Sequence, residues 1–262
     1  MSEIIKNLNN ETLDYTVEGK CLEEAKTIFL FCHGFGTDKH ECGIFDDLSR
    51  SITSEIEDSC TFRFSYSGFG ESEGEGTQIT FNAMVEDLKA VLQYVVANKS
   101  KGIAINFVCF SLGNYVASRV LTKKFLQDVR SIFCLNIPEH TVEESLRSYF
   151  TTKSGAFIDE SGIWHIPRST GATSLINDDM WSSIKAGQPL SDITYVTNNY
   201  NTYLIRALDD DVVNVNDVEI NKLPFNELIG VKGNHNLASP DDRKGFVKTV
   251  ANLVAKLDEE AK

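Results

Sequence analysis

Six short apolar runs, most of them separated by amphipathic helical patterns, restrict this chain to one class of fold. Residues 27–32 (TIFLFC), 60–64 (CTFRF), 103–110 (IAINFVCF), 129–137 (VRSIFCLNI), 203–208 (YLIRAL) and 227–231 (ELIGV) have the length and composition of strands. Several are apolar at every position rather than at alternate ones, as strands covered on both faces must be. Between and after them, apolar side chains recur with helical spacing: Ile44, Phe45, Leu48 and Ile52; Phe81, Val85, Leu88, Leu92 and Val95; Val116, Val120 and Leu121; and Phe246, Val247, Val250, Leu253, Val254 and Leu257. The last helix has a clear start, with Ser239 as N-cap, Pro240 at the first helical position, and Asp241 and Asp242 against the positive helix end. Strands alternating with helices predict an α/β fold: a mostly parallel central sheet covered by helices on both faces.

The alternation fails between 139 and 197. This stretch holds both tryptophans, Trp164 and Trp181, along with Tyr149, Phe150, Phe157 and Tyr195, which is too aromatic for a disordered loop. It is expected to be a folded cap inserted into a core made of residues 1–138 and 198–262. A length of 262 residues suits that arrangement.

Charge narrows the range of partners. The formal net charge of −13 repels phosphate backbones and anionic lipid, so neither a nucleic acid nor a membrane surface is expected as a partner. No apolar run is long enough to span a bilayer, and residues 1–19 contain none of secretory-leader length. Cys32, Cys60, Cys109 and Cys134 fall within strand-like runs, where cysteine behaves as a small buried hydrophobe. The six cysteines are therefore read as reduced thiols of a cytoplasmic protein. Cys32, His33, His40 and Cys42 could be spaced for a metal, but spacing alone is weak evidence and no metal is expected.

The chemistry centres on residues 107–120 (FVCFSLGNYVASRV), a strand feeding a helix with Ser111 at the corner. A serine placed there is held in a strained conformation with its oxygen exposed, and the residues two before and two after it must be small. Gly113 meets that need, and Cys109 stands where a glycine is usual. To act as a nucleophile, the serine needs a base, a carboxylate to orient the base, and donors for an oxyanion. The Leu112 N–H begins the helix and could be one such donor. In 230–240 (GVKGNHNLASP), His235 follows the last strand; in 205–217 (IRALDDDVVNVND), Asp210 follows another, with Asp209 and Asp211 as rivals. Ser111, Asp210 and His235 each stand directly after an expected strand. In an open α/β sheet these points share the crevice at the carboxyl ends of the strands.

These landmarks, together with the His-Gly-Phe-Gly loop at 33–36, resemble the α/β-hydrolases over nearly all residues outside the cap. The narrower likeness is to small carboxylesterases of the feruloyl-esterase and monoacylglycerol-lipase kind. Cys109, Asn114 and Ala207 depart from glycines frequent in that family. The resemblance implies a Ser111–His235–Asp210 triad, an oxyanion hole built from the Phe35 and Leu112 N–H groups, and cleavage of a small-molecule carboxylic ester through an acyl-enzyme, without a cofactor. His33, Trp164 and Trp181 are expected to wall the substrate pocket. A thioesterase, an amidase and a ligand-binding hydrolase fold of low turnover stay open as alternatives, as does a homodimer.

Overall fold

The six apolar runs pair side by side in one sheet, joined by a seventh strand that has no apolar run to mark it. The computed structural model describes residues 4–122, 128–167 and 173–260; the rest of the expected core and cap ranges lie outside the described residues. A two-stranded antiparallel pair, β1 (Ile5–Lys6) and β2 (Thr12–Leu13), precedes β3 (Tyr15–Gly19). Then come β4 (Thr27–Cys32), α1 (Ile44–Glu55), β5 (Ser59–Phe64), α2 (Phe81–Asn98), β6 (Ala104–Phe110), α3 (Gly113–Leu121) and β7 (Val129–Leu135). After the stretch where the alternation fails, the core resumes with β11 (Asn201–Ala207), α7 (Val218–Asn221), β12 (Glu227–Val231) and α8 (Pro240–Glu260).

The strand order is β12-β11-β7-β6-β4-β5-β3. Every neighbouring pair is parallel except β3 with β5. Strand β3 is an edge strand with half-exposed residues, so no continuous apolar run betrays it. One apolar layer covers one face with α2 and α3, and the other packs α1 and α8 on the opposite face.

Between β7 and β11 the chain forms α4 (Val142–Thr151), then an antiparallel sheet of β8 (Phe157–Ile158), β9 (Ile163–Pro167) and β10 (Thr173–Asn177), and then α5 (Asp179–Ala186) and α6 (Pro189–Asn199). Helix α6 packs against α3, burying Ile193 and Val196 in the core layer.

The carboxyl ends of the central strands are tied together by side chains that satisfy buried backbone groups. The Ser111 N–H donates to the Leu135 carbonyl (2.9 Å). Asn114 Nδ2 lies within reach of the Ser111 carbonyl (2.8 Å) and the Leu135 carbonyl (3.1 Å). Next along β7, Asn136 takes a left-handed conformation (φ 45°), which ends the strand two residues before the sequence pattern predicts. Asparagine is among the few side chains that adopt this region readily. Its Oδ1 accepts from the Ala207 N–H (2.8 Å) and its Nδ2 donates to the His235 carbonyl (3.0 Å). One fully buried amide thereby joins β7, β11 and the loop that carries His235.

At the end of β4, His33 is completely buried. Its Nδ1–H donates to the Gly34 carbonyl (2.7 Å), and the Tyr66 N–H donates to Nε2 (3.1 Å). Both bonds require the neutral Nδ1–H tautomer. Burial pushes its pKa down to about 4, against the opposing influence of the Gly34 carbonyl and Asp38. His33 is therefore a strand-end clamp rather than the pocket wall expected from its place in the loop. The metal quartet does not gather either: Cys32 is buried, Cys42 is exposed, and among the described residues no three His, Cys, Asp or Glu side chains meet in a metal-sized group.

Two measurements check this frame. Asn136→Ala should destabilise the fold by about 1–3 kcal/mol for each buried group it orphans. Asn136→Gly, which accepts the left-handed angle, should be no worse, although glycine loses more backbone entropy; denaturant unfolding reads both. The ring signals of His33 in an NMR titration should stay those of the neutral tautomer as pH falls through 6.5, changing only near 4. In that window the unfolded chain takes up a proton that the folded chain does not, so His33 costs the fold stability as the pH falls.

Candidate active site

Ser111 occupies the turn from β6 into α3 with φ 49°, a left-handed angle that costs an L-residue about 1–2 kcal/mol. The turn is tight because α3 passes against the end of β4. A Cβ at Gly113 would lie 2.2 Å from the Cys32 carbonyl oxygen and 2.7 Å from that of His33, so glycine is obligatory there. Two residues before the serine the demand is looser. Cys109 lies between Cys32 and Cys134 in the strand register, and all three are buried in the layer that receives Tyr115 and Val116 of α3. Three small thiols side by side do the work expected of a glycine. Their burial holds the thiols of Cys109 and Cys134 protonated, pushing both pKa values up.

Asp210 and His235 meet across two loops. His235 Nδ1 donates to Asp210 Oδ2 at 2.7 Å, and the carboxylate is fully shielded from solvent. Asp210 Oδ1 accepts from the Val212 and Val213 N–H groups (2.9 and 2.8 Å), which fixes the carboxylate plane. Of the two rivals, Asp209 is exposed, while Asp211 Oδ1 accepts the His235 backbone N–H at 3.3 Å rather than its ring. An ionised carboxylate only accepts, so Nδ1 carries the imidazole proton and Nε2 is left as an acceptor. The edge-on ring of Phe110, 5.2 Å away, limits rotation of the imidazole.

Ser111 and His235 line one cavity of about 580 Å³. The loop after β4 forms one side with Phe35, Gly36, Thr37 and Glu41; the glycine-rich loop after β5 adds Gly68, Phe69 and Gly70. The segment between β7 and β11 closes over it with Leu146, Tyr149, Phe150, Lys153 and Ser174. That segment is anchored at its start, where Glu139 accepts the Asn214 N–H (3.1 Å) and His140 Nδ1 bonds Asp217 (2.7 Å). Neither tryptophan reaches the cavity wall. Trp181 is buried behind it, edge-on to Phe35 (5.7 Å) and stacked near Phe150 (6.4 Å). Trp164 donates its indole N–H to Asp178 (3.1 Å) within the inserted segment. The wall aromatics are Phe35, Phe69, Tyr149 and Phe150 instead, with Trp181 supporting two of them.

Among the described residues, no hydrogen-bond acceptor is found for the Phe35 or Leu112 N–H. Leu112 precedes α3, so its N–H is one of the donors that a helix start leaves unpaired. Two polar side chains that the sequence reading passes over also belong to the site. Asn136 supports His235 from behind; in the sequence it is one polar residue inside the apolar run 129–137. Glu41 faces the cavity from the loop after β4 and is 2% exposed. Burial pushes its pKa up to about 7, against hydrogen bonds from Gly34 and Thr37 and the pull of His235. One more glutamate in so acidic a chain carries no sequence signal.

No protein-family model matches the chain, and no curated protein matches it in sequence. Solved structures do. The esterase domain of a Rhodothermus marinus protein superposes with a TM-score of 0.69 at 15% identity, covering 97% of each chain. Est1E from Butyrivibrio proteoclasticus, solved with ferulic acid bound, superposes with a TM-score of 0.70 at 13% identity over 100% of each chain. Mouse alpha/beta hydrolase domain-containing protein 10 gives 0.70 at 15% identity, covering 97% of this chain and 98% of its own. With its mostly parallel seven-stranded sheet flanked by helices, the chain has the α/β-hydrolase fold.

Proposed function

We propose that this protein is a serine hydrolase that cleaves a carboxylic ester of a small molecule. The observation that carries the reading is the Asp210–His235 pair opening onto the cavity whose wall holds Ser111 at a left-handed strand-to-helix turn. In this reading Ser111 Oγ attacks the ester carbonyl while His235 Nε2 takes the hydroxyl proton. The tetrahedral oxyanion accepts from the Phe35 and Leu112 N–H groups, whose alignment needs no reorganisation as charge develops. Collapse breaks the bond to the leaving alcohol, which receives the proton from His235. Water then adds to the acyl-serine, giving its proton to His235, and the acid departs as Ser111 regains its hydrogen. Asp210 keeps the imidazole in the Nδ1–H tautomer and stabilises its cation.

Residues 139–197 act in this proposal as the cap, with its last helix, α6, packing on α3 of the core. The aromatic wall formed by Phe35, Phe69, Tyr149 and Phe150 suits an apolar or aryl acyl group. The similarity to an esterase domain, and to a protein solved with ferulic acid bound, supports this reading at the level of the fold alone.

A fluorophosphonate probe tests the nucleophile. Wild-type protein should be labelled covalently and should hydrolyse p-nitrophenyl esters, and Ser111→Ala should abolish both. Unlabelled wild-type protein would favour a binding role for the fold. The acid is tested separately: Asp210→Asn should lower kcat by about 10⁴-fold through the wrong tautomer. Asp209→Asn and Asp211→Asn should stay within about tenfold, because neither carboxylate touches the ring. A larger loss at Asp209 would reassign the acid.

A further inference from the structure

The proposed chemistry employs one buried carboxyl, yet Glu41 presents a second to the same cavity. The chain bends sharply to put it there. Glu41 (φ 43°), Cys42 (φ 55°) and Gly43 (φ 87°) are three successive left-handed residues, two of them carrying a Cβ. Strain of this kind persists only where surrounding contacts over-determine it, and it gathers at functional sites. Here the bend returns the Glu41 side chain onto its own loop. Oε2 accepts the Gly34 N–H (2.5 Å) and the Thr37 hydroxyl (2.9 Å). Gly34 is wedged between the two sites: a Cβ on it would lie 3.1 Å from Ser111 Cβ and 3.3 Å from Glu41 Oε2.

Peptide planarity gives these bonds a consequence. The Phe35 N–H and the Gly34 carbonyl belong to one rigid peptide unit, so they point in opposite directions. His33 holds the Gly34 carbonyl at 2.7 Å, turning the Phe35 N–H the other way. Glu41 holds the peptide unit before it, through the Gly34 N–H, and Thr37 after it. Two successive peptide units are thus clamped from opposite sides by two buried side chains.

Resting on the assignment of Phe35 N–H as an oxyanion donor, we propose that Glu41 is a positioning residue. Its carboxyl group clamps Gly34 and Thr37 so that the Phe35 N–H stays aimed at the carbonyl carried by Ser111. What matters in this role is where the acceptor oxygen sits, not the charge it carries. A charge at Glu41 would act in two opposed ways, favouring the His235 cation and disfavouring a nearby oxyanion. Burial already disfavours the ionised form against the hydrogen bonds of Gly34 and Thr37.

Two substitutions separate position from charge. Glu41→Gln keeps an acceptor oxygen at the same reach without a charge. Glu41→Asp keeps the charge and withdraws the oxygen by one methylene. With p-nitrophenyl acetate as substrate, Glu41→Asp should lower kcat on the order of 10²-fold, the usual effect of a displacement of about 1 Å. KM should move less than about threefold in both variants, and Glu41→Gln should recover most of the rate. The rate of fluorophosphonate labelling should follow kcat, and thermal unfolding identifies any variant that has not folded. An unchanged kcat in Glu41→Asp, or a Glu41→Gln variant slower than Glu41→Asp, would overturn the inference. If Glu41→Asp does not fold, Thr37→Val takes its place: roughly tenfold lower kcat at constant KM supports the clamp, and an unchanged kcat refutes it. Turnover that survives Ser111→Ala would instead count against the hydrolase reading itself.

Discussion

Everything at the carboxyl edge of the sheet depends on how closely α3 approaches the end of β4. Backbone meets backbone at Gly113, with no room even for a methyl group against the Cys32 and His33 carbonyls. That approach forces Ser111 into a left-handed angle and brings the helix start beside the loop after β4. The same contact therefore sets the serine and, in the proposed mechanism, the two N–H donors of Leu112 and Phe35. The small side chains of Cys32, Cys109 and Cys134 allow it from within the sheet, where bulkier ones would lift the helix away.

A second level of organisation is polar and buried. Asn114, Asn136, His33 and Glu41 each satisfy backbone groups that the ends of parallel strands leave without ladder partners. An unmet buried group is expensive, so each bond gained also removes a penalty. Asn136 matters most for the proposed chemistry, because it links the acid strand β11 and the histidine loop through one amide. Such groups gain rigidity by being fully satisfied, and rigidity is what an aligned set of donors and acceptors requires.

The inserted segment contributes through aromatic packing. Phe35 carries the backbone of the proposed oxyanion loop and also a ring that packs edge-on against Phe69, Phe150 and Trp181. The cavity wall and the loop that would bind the oxyanion are therefore coupled mechanically. Trp181 acts at second hand, by supporting Phe35 and Phe150.

The order of strands and helices was legible in the amino-acid sequence, because apolar periodicity reports local burial. So were the positions of Ser111, Asp210 and His235, each marked by a strand end and a loop. The edge strand β3 was not, since half-exposed residues leave no apolar run. Nor could sequence say that His33 turns inward, that Trp181 stands behind the wall, or that Asn136 and Glu41 join the site. Those outcomes rest on contacts between residues far apart in the chain, or on backbone angles that only surrounding packing can impose. Local pattern thus determined which elements form and where their loops fall; tertiary structure alone decided which side chains those loops turn toward one another.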